Sequence, residues 1–562
     1  MMNHNEWWRE AALYQIYPKS FQDSNGDGVG DLRGIISRLD YLKELGIDAI
    51  WLCPIYKSPM KDNGYDISDY YHIDPSFGTD EDMDELLVEA KKRNIKILMD
   101  LVANHTSDQH EWFKEAQKDP EGPYGKYYIL QRGKDGKAPN NLRSYFGVPA
   151  WTPLGNEDWY YFHCFAKEQP DLNWENEETR QEIYKVTKYW HEKGVAGFRI
   201  DAIGNVKKIF RKDYYKPDGE DGLCFLGEAV QNNPGLEIWL KELDEQAFKP
   251  YNSMSVAEMA VPESRLPEAI GENGVFRMVF DFSYTDIEVS EANEWYRPKP
   301  WTIVDLREKI FHSQLITQEC GWGCVHLENH DQPRSLNKFI GDENINYYST
   351  TMLAMMFLFL RGTPFIYQGQ EIGMTNIHMD SIEDYDDIST IDQYNRALQN
   401  GIDEKTAWDA IYKKSRDNGR TPMQWDGTKN AGFTTADHTW LKVNENYTQI
   451  NVEKSKNEEK SVFRFYQKLL QLRKESEFKD VIVNGLFAPE EVDDPYVLAY
   501  YRNTEKDSMF VCLNFQSKES SVKIPEGYDV KVLGNYEECN FESENYILRP
   551  YECISFYKKI EE

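Results

Sequence analysis

Residues 95–107 read IKILMDLVANHTS, an apolar run over 95–102 broken by Asp100 and followed by a polar end with Asn104 and His105. Such a short apolar run reads as a strand. Just before it, residues 82–94 (DMDELLVEAKKRN) place apolar residues three and four apart, the period of a helix with one buried face. Further strand-like runs stand at 13–18 (LYQIYP), 47–56 (IDAIWLCPIY), 197–201 (GFRID), 254–258 (MSVAE), 276–282 (FRMVFDF), 324–331 (CVHLENHD) and 363–371 (TPFIYQGQE), with helical stretches such as 32–45 between them. Eight such β/α units predict an α/β fold, a (β/α)8 TIM barrel, with chemistry at the carboxyl ends of the strands.

One connection is out of proportion. Residues 105–173 are rich in Gly, Pro, Asn and aromatics and hold no barrel unit, so they are expected to form an inserted subdomain after the third strand. From about 482 the pattern changes to short alternating runs, among them YVLAYYRN from Tyr496 and SMFVCLNF from Ser508, which predict a C-terminal antiparallel β domain. The expected organisation is a barrel of 1–104 and 174–481, an insert of 105–173 and a β domain of 482–562.

Composition narrows the function. The 562 residues carry a net charge of -32, which repels nucleic acid and anionic membranes, so neither is an expected partner. The longest apolar run, 352–360, falls well short of the roughly 20 residues of a membrane span. The amino-terminal stretch MMNHNEWWREAALYQ has acidic residues and no apolar signal core, and the expected location is the cytoplasm. Eight scattered cysteines form no CxxC pair and are expected to be buried, reduced thiols.

The polar residues concentrate where a barrel would present one rim: Asp100, Asn104 and His105 on the third strand, Arg199 and Asp201 on the fourth, Glu258 on the fifth, His330 and Asp331 on the seventh. Arg199 and Asp201, two apart on a strand, share a face, so the guanidinium is expected to hold Asp201 ionised by lowering its pKa. Glu258, with no Arg two residues away, is expected to keep its proton by burial and like-charge repulsion. An ionised and a protonated carboxyl facing each other are the nucleophile and acid of retaining glycoside hydrolysis.

In this order and on these strands, DLVANHTS, GFRIDAIG, SVAEM and ENHDQPR resemble the four signature regions of the α-amylase superfamily, glycoside hydrolase family 13. QPDLNW from Gln169 resembles a fifth region of its oligo-1,6-glucosidase branch, and DNGYDISDYY and SRDNGRTPMQW match that branch too. The resemblance implies Asp201 as nucleophile, Glu258 as acid/base and Asp331 as transition-state stabiliser. It also implies that Arg199, His105 and His330 line one sugar subsite, that Asp62 and Arg416 close the pocket, that Tyr65 and Phe165 supply aromatic walls, and that Asp100 supports the network. Glu228, in LGEA, is the rival for the acid, and Ala257 stands where the branch usually has Gly. Ala202, directly after the nucleophile, borders the leaving-group subsite, where α-1,6-specific relatives carry Val.

The stretch 21–34, FQDSNGDGVGDLRG, puts Asp23, Asn25, Asp27 and Asp31 at positions 1, 3, 5 and 9 of a calcium loop, with the Val29 carbonyl at 7, but Gly34 replaces the Glu at 12. The resemblance implies a structural Ca2+ or Mg2+ there rather than a sensor. It implies no redox cofactor, small oligosaccharides as partners, a monomer or weak homo-oligomer, and an exo-acting α-glucosidase. Trehalose-6-phosphate hydrolase and sucrose isomerase share much of the pattern. The non-enzymatic heavy chain of amino-acid transporters shares the barrel but needs a membrane span and tolerates lost carboxylates.

Overall fold

The computed structural model describes residues 6–155, 158–290, 292–542 and 545–560; residues 1–5, part of the stretch read for a signal core, lie outside these. Eight parallel strands form the barrel: β1 Leu13–Ile16, β2 Ala49–Leu52, β3 Lys96–Val102, β4 Gly197–Asp201, β5 Met254–Ala257, β6 Met278–Val279, β7 Cys324–Val325 and β8 Thr363–Tyr367. Ladders join neighbours from β1 through β6, and β8 pairs with both β1 and β7. Between β6 and β7 the described residues form no ladder; the Cys324 thiol instead donates to the Val279 carbonyl at 3.3 Å.

Strands β6 and β7 are much shorter than their apolar runs predict. For β7 the reason is where the backbone donors go: the His326 N–H donates to the Tyr284 hydroxyl and the Asp331 N–H to the Asn329 side chain, not to a neighbouring strand, whereas beside β6 the Phe280 N–H still donates to the Ala257 carbonyl of β5 at 3.0 Å. Freed from the ladder, 326–331 turns at the rim and delivers His330 and Asp331. On the intact strands, register does the placing. Arg199 pairs with Asp100 of β3 and with Val256 of β5, so Arg199 and Asp100 stand at one height.

The apolar run at 352–360 is explained by the helix Tyr347–Leu358, buried from Ser349 onward. Among the described residues, no helix is long and apolar enough to cross a membrane.

The insert holds an antiparallel sheet of Leu130–Arg132, Trp159–Phe162 and Trp151–Pro153. It is clasped by the chain after β4: Cys224–Phe225 pairs in parallel with Leu142–Arg143, and Tyr215, Leu226 and Val230 join a core with Trp151 and Phe162. Beyond the barrel, five antiparallel strands run in the order Leu486–Glu490, Val497–Asn503, Asp507–Asn514, Cys553–Lys559 and Val530–Gly534, with a second sheet of Ser520–Lys523, Asn545–Leu548 and Phe541–Glu542. All eight cysteines are free; five are buried, Cys224 and Cys320 are half-buried, and Cys539 is exposed.

Candidate active site

The hub is Arg199. From β4 its Nη1 reaches Asp100 at 2.8 Å and Asp201 at 2.6 Å, while Nη2 reaches Glu258 at 2.5 Å. Glu258, one residue past β5, also accepts the Ala202 N–H at 3.1 Å. Asp100 is fixed from the far side by the Tyr65 hydroxyl (2.9 Å) and the Trp51 indole (3.2 Å). Tyr65 stacks on His330 with ring centroids 5.2 Å apart and 10° between planes, and its hydroxyl lies 2.5 Å from His330 Nε2. Gln15 Nε2 faces the other ring nitrogen at 2.8 Å.

A second cluster forms around Arg416. It reaches Asp62 at 3.0 Å, Asp331 at 3.2 Å and Asp387 at 2.7 Å, and its guanidinium lies over the Phe146 ring. Asp331 is also held by Arg420 at 2.8 Å and by His330 at 3.1 Å. Gln169 Nε2 donates to Asp62 at 3.0 Å and faces His105 Nε2 at 3.2 Å.

Together these groups bound a cavity of about 400 Å³ lined by Asp62, Tyr65, His105, Phe165, Asp201, Ala202, Glu258, Asp331 and Arg416, with Tyr145 and Phe146 completing an aromatic side. Phe165 stacks on Tyr145 at 5.2 Å. Arg199 and His330 do not line the cavity; only 2% and 0% of each is exposed, and they hold its wall from behind. Glu228 lies elsewhere, half-exposed at the start of a short helix and paired with Lys212 at 3.0 Å.

The electrostatics depart from the expectation that Arg199 lowers Asp201. Burial pushes Asp201 up to about 7, and Arg199, which pulls it down, does not offset this. One guanidinium is divided among three carboxylates, so none has the full benefit of its charge. Glu258 is likewise raised to about 7, first by burial and then by Asp201 and Asp331, against the pull of Arg199. It also has an Arg partner, from the neighbouring strand β4. Asp331 behaves oppositely: burial raises it, but His330, Arg416 and Arg420 together bring its carboxyl well below the usual range. The site therefore sets the ionised Asp331 against a raised pair, Asp201 and Glu258, and behind them burial also raises Asp100, to about 6.

The sequence pattern assigns no such roles to Arg420, Asp387 or Gln169. Arg420 sits four residues beyond Arg416 in the same motif, a helical spacing that could have flagged it. Asp387, in DYDDIST, gave no signal, because an acidic stretch between helices looks like a solvated loop.

The loop after β1 is tied up by its own backbone. Asp23 accepts the N–H groups of Asn25, Gly26 and Gly28, Asn25 accepts that of Asp27, and Asp27 that of Val29, at 2.8–3.0 Å. Asp31 caps the helix Leu32–Ser37 through the Gly34 N–H at 2.7 Å and accepts from Ser24. Among the described residues, no three His, Cys, Asp or Glu side chains are gathered to hold a metal ion. In kind the loop's donors still fit a hard cation, since all are oxygens.

The Alpha amylase catalytic domain family matches residues 15–484, and the Alpha-amylase SusG C-terminal domain family matches 497–554. The oligo-1,6-glucosidase of Bacillus cereus is 43% identical across 99% of this chain and 100% of its own. The trehalose-6-phosphate hydrolase of Bacillus licheniformis superposes with a TM-score of 0.89 at 38% identity, over 98% of this chain and 100% of that one. The isomaltulose synthase of Klebsiella sp. LX3 does so with a TM-score of 0.92 at 36% identity, over the whole of both chains.

Proposed function

The chain belongs to the α-amylase family of glycoside hydrolases, and from that premise we propose that it is an exo-acting, retaining α-glucosidase releasing glucose from the non-reducing ends of short α-1,4- and α-1,6-linked gluco-oligosaccharides. The observation that carries this reading is the single guanidinium joining Asp201 and Glu258 inside a cavity bounded by the Asp62–Arg416 pair. Two carboxyls spanned by one side chain suit the retaining class, whose carboxyls are about 5 to 5.5 Å apart, rather than the wider inverting class.

In the reactive form the raised pair carries one proton, on Glu258. Asp201 attacks the anomeric carbon of the terminal glucose while Glu258 protonates the departing glycosidic oxygen. The positive charge that develops on the ring is met by Asp331, kept ionised by the Arg416 and Arg420 guanidiniums, while His330, held neutral by burial, lies 3.1 Å from it. Glu258, now a base, then draws a proton from the water that cleaves the glycosyl ester. Asp62, braced by Arg416 and Gln169, is placed to bind the hydroxyls at the closed end, which supports removal of single terminal units.

Hydrolysis of maltose, isomaltose, panose, sucrose, trehalose 6-phosphate and starch, with products separated by chromatography, tests the reading. Glucose from the short α-glucosides and little action on starch is expected; no glucose from any of them overturns it. A sugar phosphate is disfavoured because Asp62, Asp201, Glu258, Asp286 and Asp331 line the cavity against one cation, Arg416, itself shared by three Asp.

Linkage preference is assigned to Ala202. Its φ of 42° is left-handed, and its side chain faces the cavity beside Glu258. The small side chain leaves room for an α-1,4-linked second ring, so both linkages are expected to be cleaved. Ala202→Val fills that room and is expected to shift the kcat/KM ratio toward isomaltose by about 1 to 3 kcal/mol. A β-branched residue also strains a left-handed backbone, but that cost is common to both substrates and cancels in the ratio. An unmoved maltose/isomaltose ratio removes Ala202 from the account of specificity.

A structural Ca2+ or Mg2+ held by Asp23, Asn25, Asp27, the Val29 carbonyl and Asp31 is part of the proposal, supported by the spacing and the all-oxygen donor set. It would add stability and take no part in bond cleavage. Chelation is expected to lower the Tm without quenching activity at moderate temperature, and Asp27→Ala to do the same. An unchanged Tm, with no ion found by elemental analysis, sinks the idea.

A further inference from the structure

Packing fixes the ring of His330 but not its proton. Besides the stacked Tyr65, the indole of Trp51 meets the ring edge-on with centroids 5.8 Å apart, and Tyr17 lies over it at 6.2 Å. Both ring nitrogens have partners: Nε2 faces the Tyr65 hydroxyl at 2.5 Å and Asp331 at 3.1 Å, and Nδ1 faces the side-chain nitrogen of Gln15 at 2.8 Å. Gln15 belongs to β1, is 2% exposed and does not line the catalytic cavity. We propose that Gln15 is a positioning residue of the catalytic centre: its amide N–H, aimed at Nδ1, withholds a second proton from His330 and leaves the one ring proton on Nε2, facing Asp331.

Both sides of the ring lead to the same tautomer. The ionised Asp331 can only accept, and the Tyr65 hydroxyl gives its own proton to Asp100 at 2.9 Å, so each needs a proton on Nε2. An amide NH2 can only donate, so Gln15 needs a lone pair on Nδ1. Its nitrogen also donates to the Cys53 sulfur at 3.3 Å, which takes the second hydrogen and holds the amide in this orientation.

A singly protonated ring preserves the charge of Asp331. The charges acting on His330 are Asp331 on its own segment, Arg199 from β4, and Arg420 and Arg416; burial pushes the imidazole down to about 3, with the three guanidiniums adding to it and Asp331 opposing. Tyr17, Tyr65 and Cys53, which pack around the ring and its amide partner, are all pushed up by burial and stay neutral. A second proton, on Nδ1, would set an imidazolium against Asp331 and cancel part of the charge that meets the sugar cation. An N–H already pointing at Nδ1 opposes that proton. The place of the proton stands by itself; its effect on rate rests on the glucosidase reading.

The test is NMR of protein labelled with heavy nitrogen at histidine, the His330 signals being those missing from His330→Gln protein. In the wild type Nε2 is expected to carry the proton, and the bare Nδ1 to show the shift of a nitrogen that accepts a hydrogen bond. Gln15→Met, of similar length but without a donor, is expected to lose that shift. Gln15→Glu turns the same position into an acceptor, so Nδ1 should become protonated. Its kcat on maltose and isomaltose should fall about tenfold or more with KM little changed, because Asp331 acts on a charge present only in the transition state. Gln15→Met should lose far less, since burial still opposes the second proton. A merely structural amide predicts equal losses in the two variants. A wild-type ring protonated on Nδ1, an Nδ1 signal that Gln15→Met leaves unmoved, or equal kcat in the Met and Glu variants overturns the proposal; should the Glu variant not fold, the first two outcomes decide. Failure of the wild type to cleave any α-glucoside overturns the glucosidase reading and leaves the tautomer to the spectra.

Discussion

Asp201→Asn is expected to lower turnover of every α-glucoside by about 10⁴-fold or more, the scale on which loss of an essential nucleophile acts. The amide matches the carboxylate in size and can still accept from Arg199 through its oxygen, but it cannot form the glycosyl ester. Azide is expected not to restore a product of the original anomeric form. The fold should survive the change. Burial raises the Asp201 carboxyl to about 7, so its contribution to stability is fully present below the unfolded pKa of about 4 and is lost as pH rises through 7. Asn carries no charge at any of these pH values, so its Tm at pH 8 should be no lower than that of the wild type. A variant that folds normally and retains a tenth of the wild-type rate would overturn the assignment of the nucleophile.

Glu258→Gln is expected to lose about 10² to 10⁴ in kcat/KM on natural disaccharides, the usual worth of a positioned acid. Much less should be lost on aryl glucosides whose leaving group departs without a proton. The same residue governs pH. With Glu258 raised to about 7, the proton it must donate is present below that value and lost above it, so kcat/KM falls on the alkaline side with a midpoint near 7. Because Asp201 titrates in the same range, the midpoint belongs to the pair rather than to one group. In the Gln variant that limb should vanish for activated substrates. If Glu228→Gln were the crippling change and Glu258→Gln harmless, the acid would be misassigned.

Much of this molecule follows from local pattern alone. The apolar runs at 95–102 and 363–367, alternating with stretches of helical spacing, point to the strands of a parallel barrel, whereas the similar run at 352–360 is a helix. Because that fold brings the carboxyl ends of its strands to one rim, Asp201, Glu258 and Asp331 could be grouped from residues far apart in the chain.

What the sequence could not decide is how charge is divided among groups that meet only through folding. Two-residue spacing predicts that Arg199 serves Asp201, and it does, at 2.6 Å; yet strand register adds Asp100 from β3, and Glu258 arrives from the end of β5. Shared three ways, the guanidinium loses to desolvation, and all three of its carboxyls rise, Asp201 among them where it was expected to fall. Asp331 goes the other way because Arg416 and Arg420, some 85 residues on, converge on it with His330. Desolvation and Coulomb energy depend on distances in space. The sequence determines which ionisable residues reach the rim, and only the tertiary structure decides which of them keep their protons.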